Sequence, residues 1–590
     1  MTNLVFDIEA DGLDPTKIFC VVAQDADTGD IFTFDNTQLE KAYGLLKAAD
    51  KLIGHNILGY DLPALKDIAG VDLFDKKIVD TLVLSRLFHP NREGGHGLES
   101  WGYRLKFNKG DYGANQGAWD AYCPEMLEYC KRDVELNTKV YMQLRKESKG
   151  FTPRSVILEH DVAKIIDQQR RNGFRLDLKK AMLLSSLFSE KLQATEAEVQ
   201  ETFKPVVTHT ELLPQYTKSG RLSKRATIKD NPERKSAVLT DEEYAEMLET
   251  GEPVTRVTED KFNLGSRKQI GERLIEAGWK PKNYTPTGQP IVDEGTLNKV
   301  KGIPEAALIA KYLMLQKRLA QVASWIKATE DDERVRGYVN PNGAVTGRMT
   351  HSHPNMAQIP STNSPYGKEC RACWTVDKGN KLVGIDASGL ELRMLAHYMN
   401  DKEYTNEILN GDIHTTNQKL AGLESRSQAK TFIYALLYGA GDAKLGSVAK
   451  RNRAGGKELR RQFLNSLPSF KHLVQRVQRE SKAGFVKGLD GRKLHIRSEH
   501  AALNTLLQGA GAIVMKEALV ILDKMLKRLS LDAKFVANVH DEWQIECGEA
   551  YADQVGKLGV TAIIEAGKKL NLNCPLDGDY NVGDGWHETH

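Results

Sequence analysis

Cysteines and long apolar runs are scarce in this chain of 590 residues. Seven cysteines are too few and too scattered for a disulfide framework, and their odd number favours a reducing compartment. The longest apolar stretch, residues 509–522, is interrupted by Lys516 and Glu517 and falls short of the ~18 residues of a membrane span. The start of the chain has neither the basic segment nor the long apolar segment of a secretory signal. We therefore expect a protein that is neither exported nor embedded in a membrane.

A surplus of positive charge is also missing. Lysine and arginine number 82 against 79 aspartates and glutamates, which leaves a net charge of only +3. A polyanion could therefore be bound only where cations are locally segregated from acids. One cysteine pair, Cys370 and Cys373, has the spacing of a zinc site, with His351 and His353 upstream. Two unremarkable thiols are the favoured interpretation, because no second close pair completes four ligands.

The length predicts about four domains at ~150 residues each, and nothing in the composition suggests disorder. Residues 1–150 combine strand patterns with predicted helices around 76–88 and 124–147, which is typical of an α/β fold. Residues 155–203 form a long amphipathic helical pattern, and further helices are predicted at 266–277 and 305–326.

A charged insertion, residues 205–260, separates two of these helical regions. Between Thr217 and Lys235 there are seven basic residues against two acids, whereas Ser236 to Asp260 holds eight acids against one arginine. The basic half carries Lys218, Arg221, Lys224, Arg225, Lys229, Arg234 and Lys235. We expect the acidic half either to bind a protein partner or to fold back on the basic half. The alternative is that the whole insertion is a solvated, mobile loop.

Acidic residues near the N-terminus recur in a pattern that fits metal binding. Asp7 and Glu9 are two apart in a predicted strand, so their side chains point to one face. Asp61 follows another apolar run, and Tyr129 and Asp133 are neighbours on a helix. Alone, each is an ordinary surface acid; together they are the hard oxygen ligands that hold two Mg²⁺ ions for phosphodiester hydrolysis.

These three segments resemble the motifs of DnaQ-like (DEDDy) 3′→5′ proofreading exonucleases: Asp7-x-Glu9, His55-Asn56-x-x-x-Tyr60-Asp61 and Tyr129-x-x-x-Asp133. The resemblance implies an RNase H-like exonuclease domain over residues 1–150 with two Mg²⁺ ions bound by Asp7, Glu9, Asp61 and Asp133. It implies that Tyr129 orients the attacking water.

A second pair of acids lies in the C-terminal half. Asp386 ends an apolar strand, and Asp541 occupies a tight turn between two strands, followed by Glu542. Both could be ordinary turn aspartates. The stripe Arg426, Lys430, Tyr434, Tyr438, with one residue every four, instead favours a site for a nucleoside triphosphate. A helix face packed into the core would not begin with two cations, and a solvent-exposed helix face would rarely end in two tyrosines.

These residues resemble the three polymerase motifs of family A DNA polymerases, residues 384–393, 426–439 and 539–542. The segments 340–348 and 500–508 are similar in particular to the replicative polymerases of T-seven-like podophages. The resemblance covers nearly the whole chain except the charged insertion, which is shorter here. It implies a multidomain α/β and α+β protein, in which a right-hand polymerase follows the exonuclease domain. The implied domains are a thumb at 151–340 with the insertion at about 205–260, a palm at 341–396 and 496–590, and fingers at 397–495.

Residue roles follow from the same resemblance. Asp386 and Asp541, with Ala387, bind two Mg²⁺ ions, and Glu542 is counted among the catalytic residues. The incoming dNTP is bound by Arg426, Lys430, Tyr434 and His414, with Glu391 excluding a 2′-hydroxyl and Tyr438 beside the templating base. DNA is bound by Arg348, Gln358, Asn504, Gln508 and His540. From the residues alone, His500, Asn504 and Gln508 form a polar row that can face the minor groove, although a buried amide pair is the alternative for the last two.

The favoured interpretation is a replicative, proofreading DNA polymerase that acts in the cytoplasm of an infected bacterial host. Its expected partners are primer-template DNA, dNTPs, a thioredoxin bound through residues 205–260 as processivity factor, and a phage helicase-primase and single-stranded DNA-binding protein. A repair polymerase resembling polymerase I is the nearest alternative, but there the exonuclease acids are often missing. A DNA-binding scaffold with decayed sites is the third, and it would need at least one metal acid replaced.

Overall fold

The fold is described by a computed structural model that covers residues 2–115, 117–229 and 236–589. It divides into two compact units, residues 1–177 with 328–590, and residues 178–327. The separate unit is shorter than the 151–340 predicted for the thumb, because residues 153–172 pack within the first unit. Arg234 and Lys235 of the charged insertion lie outside the described residues.

The N-terminal part of the first unit is built on a five-stranded sheet in the order β3-β2-β1-β4-β5. Strand β1 is central, antiparallel to β2 and parallel to β4, and it is buried on both faces because Leu4, Val5 and Phe6 are all apolar. The elements are β1 Asn3–Ala10, β2 Ile18–Asp25, β3 Ile31–Phe34, α1 Leu39–Ala48, β4 Lys51–Gly54, α2 Asp61–Ala69, β5 Lys77–Asp80, α3 Thr81–Phe88, α4 Leu98–Leu105, α5 Pro124–Glu147, α6 Pro153–Asn172 and β6 Phe174–Leu176.

Two helix predictions need correction here. The predicted helix around 76–88 is a strand followed by a helix, since Asp80 ends β5 and caps α3 by accepting hydrogen bonds from the N–H groups of Leu82 and Val83. The predicted continuous helix over 155–203 is broken at Gly173, which has a positive φ of 63°. The short strand β6 then separates α6 from the next helix.

The second unit contains a four-stranded sheet, β10-β7-β8-β9, and a group of helices. A long helical pair, α7 and α11, frames a core that includes Val199, Ile270 and Leu313. The elements are α7 Leu178–Thr202, β7 Val206–Leu213, β8 Arg225–Ile228, β9 Ala237–Val238, α8 Asp241–Thr250, β10 Val254–Asp260, α9 Arg267–Glu276, α10 Glu294–Leu297 and α11 Pro304–Lys327.

The described residues of the charged insertion, 206–229 and 236–260, fold as a small module made of this sheet and helix α8. Its core is Leu212, Leu222, Ala226, Leu239, Met247 and Val254. The alternative of a solvated, mobile loop is therefore wrong for the described residues. The two charged halves do contact each other, since Lys224 pairs with Asp241 at 2.9 Å.

The remainder of the first unit surrounds a four-stranded antiparallel sheet, β18-β19-β15-β20, which packs against α20 and α21. The elements are β11 Arg334–Val335, β12 Tyr338–Asn340, β13 Thr350–Ser352, α12 Gly367–Arg371, β14 Trp374–Thr375, β15 Asn380–Ala387, α13 Leu390–Met399, α14 Lys402–Asn410, α15 Ile413–Ala421, α16 Arg426–Leu437, α17 Asp442–Val448, α18 Arg453–Ser466, α19 Pro468–Ser481, β16 Phe485–Lys487, β17 Lys493–His495, α20 Ala502–Arg528, β18 Ala533–Val539, β19 Glu542–Gly548, α21 Ala552–Lys569 and β20 Gly578–Gly583.

Helix α20 is the buried spine of this part. The stretch Glu499–Arg528 could cross a membrane by length and composition alone, so the expectation that its charges disqualify it is wrong. However, 83% of its most apolar window is buried inside the fold, as in a core helix. Glycines allow close packing, because a Cβ on Gly509 would clash with the Leu494 side chain.

Four buried charges tie α20 to distant parts of the chain. Lys516 on α20 donates to both carboxylate oxygens of Glu159 on α6, at 2.7 and 2.8 Å. Arg492, before β17, pairs with the same Glu159 and with Asp490. Burial lowers the pKa of Lys516 to about 8, and Glu159 opposes that shift. We call Glu159, Asp490, Arg492 and Lys516 the buried charge cluster.

Candidate active sites

The predicted N-terminal acids converge at one end of the central strand β1. Asp7 and Glu9 lie on β1, and Asp61 is the first residue of α2, where its carboxylate accepts the Ile8 N–H at 3.1 Å. Asp133 and Tyr129 project from α5, which packs on β1 and β2. The structure thus brings together all five residues that the sequence predicted for this site.

The electrostatics of this cluster favour a bound cation. Burial and the neighbouring carboxylates raise the pKa values of Asp7 and Glu9 well above the usual range. Burial likewise raises the pKa of Asp61 to about 7 and shifts that of Asp133 upward. The Oδ1 atom of Asp133 is buried and has no hydrogen-bond partner. Buried acids that repel one another and leave an acceptor unpaired fit hard divalent ions.

Lys109 is a member of this site that the sequence analysis missed. Its Nζ lies 2.6 Å from Asp133 Oδ2 and 4.8 Å from the centre of the Tyr129 ring. Its loop also supplies Tyr112 and Trp119, whose rings contact the Tyr129 ring. In the sequence, Lys109 precedes Gly110 in a predicted loop, and nothing in that pattern indicates a contact with α5. Lys109 supplies one positive charge to a cluster of four acids.

Among the described residues, one group of three candidate ligands has its ligand atoms all within 4.8 Å of one another: Asp7, Glu9 and Cys130. Burial raises the pKa of the Cys130 thiol, which donates to the Asp7 carbonyl. Among the same described residues, no group of three candidate ligands includes Cys370 or Cys373. Both side chains are buried, and the Cys373 thiol donates to the Glu369 carbonyl.

The second pair of acids meets across the four-stranded sheet. Asp386 lies on β15 opposite Glu542 on β19, and Asp541 occupies the two-residue turn between β18 and β19. The Ala387 N–H donates to the Asp541 carbonyl at 3.3 Å, which fixes the turn beside the end of β15. Burial raises the pKa of Asp541, against the opposing effect of Arg348 and His540.

Glu542 is engaged in a buried hydrogen-bond network. It is 4% exposed, and its Oε1 accepts from Trp586 Nε1 at 2.6 Å and from the Gln544 amide. Arg371 lies 4.0 Å from the same oxygen. Trp586 belongs to the C-terminal segment, Gln544 to β19 itself and Arg371 to α12, and these contacts hold β19 in place directly after Asp541. The sequence analysis grouped Glu542 with the catalytic acids and could not foresee these partners.

Helix α16 presents the predicted stripe. Arg426 and Lys430 are exposed, and the Arg426 Nε lies 2.6 Å from Asp412 Oδ2. The Tyr434 and Tyr438 rings stack at 6.3 Å, although Tyr438 follows the last helical residue rather than lying in the helix. His414 lies 6.3 Å from Tyr434, and its Nδ1 is buried without a partner.

Glu391, in the first turn of α13, contacts both Tyr438 of the stripe and Arg348. Its carboxylate accepts the Tyr438 hydroxyl at 2.6 and 2.8 Å and pairs with Arg348 at 3.2 Å. The charges of Glu391 and Asp541 both add to the effect of burial in raising the pKa of Tyr434. Residues predicted to bind dNTP and DNA are thus in direct contact with each other.

The predicted DNA-contacting residues lie on several separate elements. Asn504 and Gln508 lie half-buried on α20, whereas His500 precedes that helix in a 3-10 turn, so the predicted helical row is two residues long. Gln358 ends another 3-10 turn, and His540 has a left-handed backbone with a φ of 58° in the hairpin turn. A cleft beside Asp541 is lined by Arg348, His540 and Lys516, among others.

The family follows from the comparison with known proteins. The sequence profile of DNA polymerase family A matches residues 234–588. The chain belongs to DNA polymerase family A. It is similar to the DNA-directed DNA polymerases of Enterobacteria phage T3 and Escherichia phage T7, at 36% identity over 100% of this chain and 100% of each relative.

More distant relatives agree. This family A polymerase is 24% identical to DNA polymerase I of Aquifex aeolicus over 96% of this chain and 93% of the relative. Its fold resembles the polymerase domain of Pol1 from M. smegmatis, solved in complex with DNA primer-template and dNTP. That match has a TM-score of 0.77 at 18% identity and covers 100% of this chain and 96% of the other.

Membership confirms the predictions of a family A fold and of DNA-directed DNA synthesis. Polymerases of this family use divalent metal ions, which fits the acids at Asp386 and Asp541. The alignments with the phage polymerases run over 707 positions, more than the 590 residues here, so this chain has gaps relative to them.

Proposed function

We propose that this family A polymerase replicates phage DNA and proofreads its own product in the cytoplasm of an infected bacterial host. Full-length similarity to two phage polymerases supports the replicative role. The observation that carries proofreading is the convergence of four acids, Asp7, Glu9, Asp61 and Asp133, with raised pKa values and an unpaired buried oxygen. A repair polymerase of the polymerase I type is less well supported, because all four acids are retained.

In the proposed polymerase site, Asp386, Asp541 and Ala387 would hold two Mg²⁺ ions. Bound there, such ions would supply Lewis-acid activation of the primer 3′-hydroxyl and stabilisation of the leaving pyrophosphate. The protein contributes position: the hairpin turn of Asp541 is hydrogen-bonded to the end of β15. Glu542 would act through its buried network by holding β19 in place.

The dNTP and DNA contacts are proposed from the family resemblance. The exposed cations Arg426 and Lys430, with His414, would bind the phosphates, and Tyr434 would face the sugar and base. Glu391 would exclude a 2′-hydroxyl, and its bonds to Tyr438 and Arg348 hold it in place for that contact. Tyr438 would lie beside the templating base, and the DNA would be contacted by Arg348, Gln358, Asn504, Gln508 and His540.

In the proposed exonuclease site, Asp7, Glu9, Asp61 and Asp133 would hold two Mg²⁺ ions, and such ions would supply an activated water for hydrolysis of the terminal phosphodiester. Tyr129 would orient that water, and the aromatic contacts with Tyr112 and Trp119 restrict its ring. In domain terms, residues 1–150 are the exonuclease domain, 151–340 the thumb, 341–396 and 496–590 the palm, and 397–495 the fingers.

The proposal is tested with the intact protein, Mg²⁺ and labelled primer-templates. With dNTPs we expect extension to the end of the template. Without dNTPs we expect stepwise loss of 3′ nucleotides, faster from a mismatched terminus than from a paired one. If the protein extends primers but does not degrade 3′ ends, the proofreading part of the proposal is contradicted.

Tyr434 provides a test of the dNTP site. Its hydroxyl can occupy the region left by a missing 3′-hydroxyl, so the protein should incorporate dideoxynucleotides readily. Tyr434→Phe removes that compensating group, and we expect dideoxynucleotide use to fall roughly tenfold to a hundredfold relative to dNTPs, the effect of one unmade buried hydrogen bond. Chain-termination ratios measure this directly, with Tyr398→Phe as the control. Equal ratios in both variants would contradict the placement of Tyr434.

The module at residues 206–260 is proposed to bind a thioredoxin as a processivity factor. It occupies the position between α7 and α9 at which the resembled phage enzymes carry such an insertion. Ion pairs already engage Lys224 with Asp241 and Lys229 with Glu211, which leaves fewer cations of the module for DNA. Phage helicase-primase and single-stranded DNA-binding protein are proposed as further partners in replication.

The module can be removed cleanly because it begins and ends at neighbouring points. Val206 and Asp260 are paired residues of β7 and β10, so a Gly-Ser linker of about four residues spans them. We expect products per binding event to become at least about tenfold shorter, through loss of tethering, with single-nucleotide incorporation unchanged. Thioredoxin should lengthen products of the intact protein only. If thioredoxin changes product length equally for the intact protein and the deletion variant, then thioredoxin is not a partner of the module.

A further inference from the structure

A short helical hairpin next to Tyr438 carries a cluster of cations that the proposed function does not use. Helices α17 and α18 and the loop between them contain a stretch, residues 443–457, with five basic residues and no acid. All five side chains are exposed. We call these residues, Lys444, Lys450, Arg451, Arg453 and Lys457, the cationic hairpin.

None of these five cations forms an ion pair with any residue that the structure describes, whereas the two arginines that follow are paired. Arg460 pairs with Asp442 at 2.8 Å, and Arg461 pairs with Glu458 at 2.6 Å. In a protein with a net charge of only +3, five unpaired cations within 14 positions are a strong local segregation of charge.

The hairpin is held rigidly beside the proposed template position. A Cβ on Gly456 would clash with the Asp442 carbonyl oxygen, so the two helices cross at backbone contact. Arg460 also donates to the Ala440 carbonyl at 2.6 Å, two residues after Tyr438. The position of the cations is therefore fixed relative to Tyr438.

We propose that the cationic hairpin binds the phosphates of the single-stranded template strand that has not yet been copied. The inference rests on the proposed place of Tyr438 beside the templating base, since the uncopied strand then begins at that point. A single strand is an extended polyanion, and exposed lysines and arginines contact it without reading its sequence. The stretch has no aromatic residue for stacking on bases, so the contact is electrostatic.

The test compares two primer-templates with the same duplex. One has a template overhang of one nucleotide, and the other an overhang of roughly 20 nucleotides, longer than a typical single-strand site. The variant carries Lys450→Gln, Arg451→Gln, Arg453→Gln and Lys457→Gln. The matched control carries four changes on nearby exposed cations, Lys471→Gln, Arg479→Gln, Lys482→Gln and Lys487→Gln.

For the long overhang, we expect the variant to bind at least about tenfold more weakly than the wild type. The slope of log K against log salt should decrease by about 0.7 for each phosphate that is no longer neutralised, up to ~3 for four phosphates. With the one-nucleotide overhang, affinity and incorporation should match the wild type, which shows that the active site is intact. The control should behave as the wild type on both substrates.

Three results would overturn the inference. Equal affinities of variant and wild type for the long overhang would exclude the contact. Equal weakening on both overhangs would place the cations on the duplex instead. A variant that binds both DNAs normally but loses binding of polyglutamate would make the hairpin a docking surface for an acidic protein. Failure of the wild type to extend any primer would instead contradict the polymerase function.

Discussion

Replacing Asp541 with Asn is expected to abolish templated synthesis while leaving the protein folded and able to degrade 3′ ends. Asn keeps the size of the side chain but removes the negative charge that a divalent ion requires. The main-chain bond from Ala387 to the Asp541 carbonyl does not depend on the side chain, so the hairpin should persist. A metal contact of this kind contributes several kcal/mol to the transition state, and we expect incorporation to fall at least about a thousandfold.

Single-nucleotide incorporation under rapid mixing measures this effect, and degradation of a labelled single strand is the parallel assay. Asp532→Asn, an exposed acid just before the opposite end of β18, is the control and should retain both activities. Parallel loss of both activities in a folded Asp541→Asn protein would contradict the two-site proposal.

The converse change, Asp7→Ala with Glu9→Ala, should remove 3′→5′ degradation and spare synthesis. Half of the proposed metal ligands disappear, and we again expect a loss of at least about a thousandfold, in degradation of single-stranded 3′ ends. Burial, together with repulsion from neighbouring carboxylates, raises the pKa values of both acids. Their removal relieves that repulsion, so Tm without divalent ions should equal or exceed that of the wild type.

Asp14→Ala, an exposed acid in the loop after β1, is the matched control and should degrade DNA as the wild type does. Continued degradation by the double variant would place the exonuclease outside this cluster. Loss of primer extension, with Tm unchanged, would show that the N-terminal acids serve synthesis as well.

Within each proposed site, the local spacing of the residues could be read from the sequence. Asp7 and Glu9 alternate along a strand, Tyr129 and Asp133 are one helical turn apart, and Asp541 sits in a two-residue turn. Each of these spacings follows from a single element, so no knowledge of the tertiary fold was needed. Their convergence came from the family resemblance rather than from the spacing.

Contacts between distant segments could not be predicted in this way. Lys109 reaches Asp133 from a loop, and the partners of Glu542 include Trp586 from the C-terminal segment. Nothing in the neighbourhood of either residue encodes the other. A glutamate that follows a metal-binding aspartate, as Glu542 follows Asp541, can either bind the metal or hold its strand in place through hydrogen bonds. Only the tertiary contacts of that glutamate distinguish the two roles.

The fold of the insertion escaped prediction for another reason. Its strands β7 and β10 are exposed over much of their length, so they lack the regular apolar alternation that identifies a half-buried strand. Its core residues are few and widely spaced, and they do not stand out among the many charged residues between them. These strands are instead defined by cross-strand pairing, as between Thr208 and Thr258, which the composition does not indicate.

The buried charge cluster has a consequence for the order in which the chain folds during synthesis. Glu159 is separated from Arg492 by 333 positions and from Lys516 by 357, yet both cations contact it. A nascent chain therefore emerges from the ribosome with α6 long before the partners of Glu159 exist, and burying that carboxylate alone would be unfavourable. All five strands of the N-terminal sheet lie before residue 81 and can pair early, whereas the face of α6 that carries Glu159 stays in solvent until its partners have been made. Docking of α6 onto α20 is thus a late step, one that only a nearly complete chain can take.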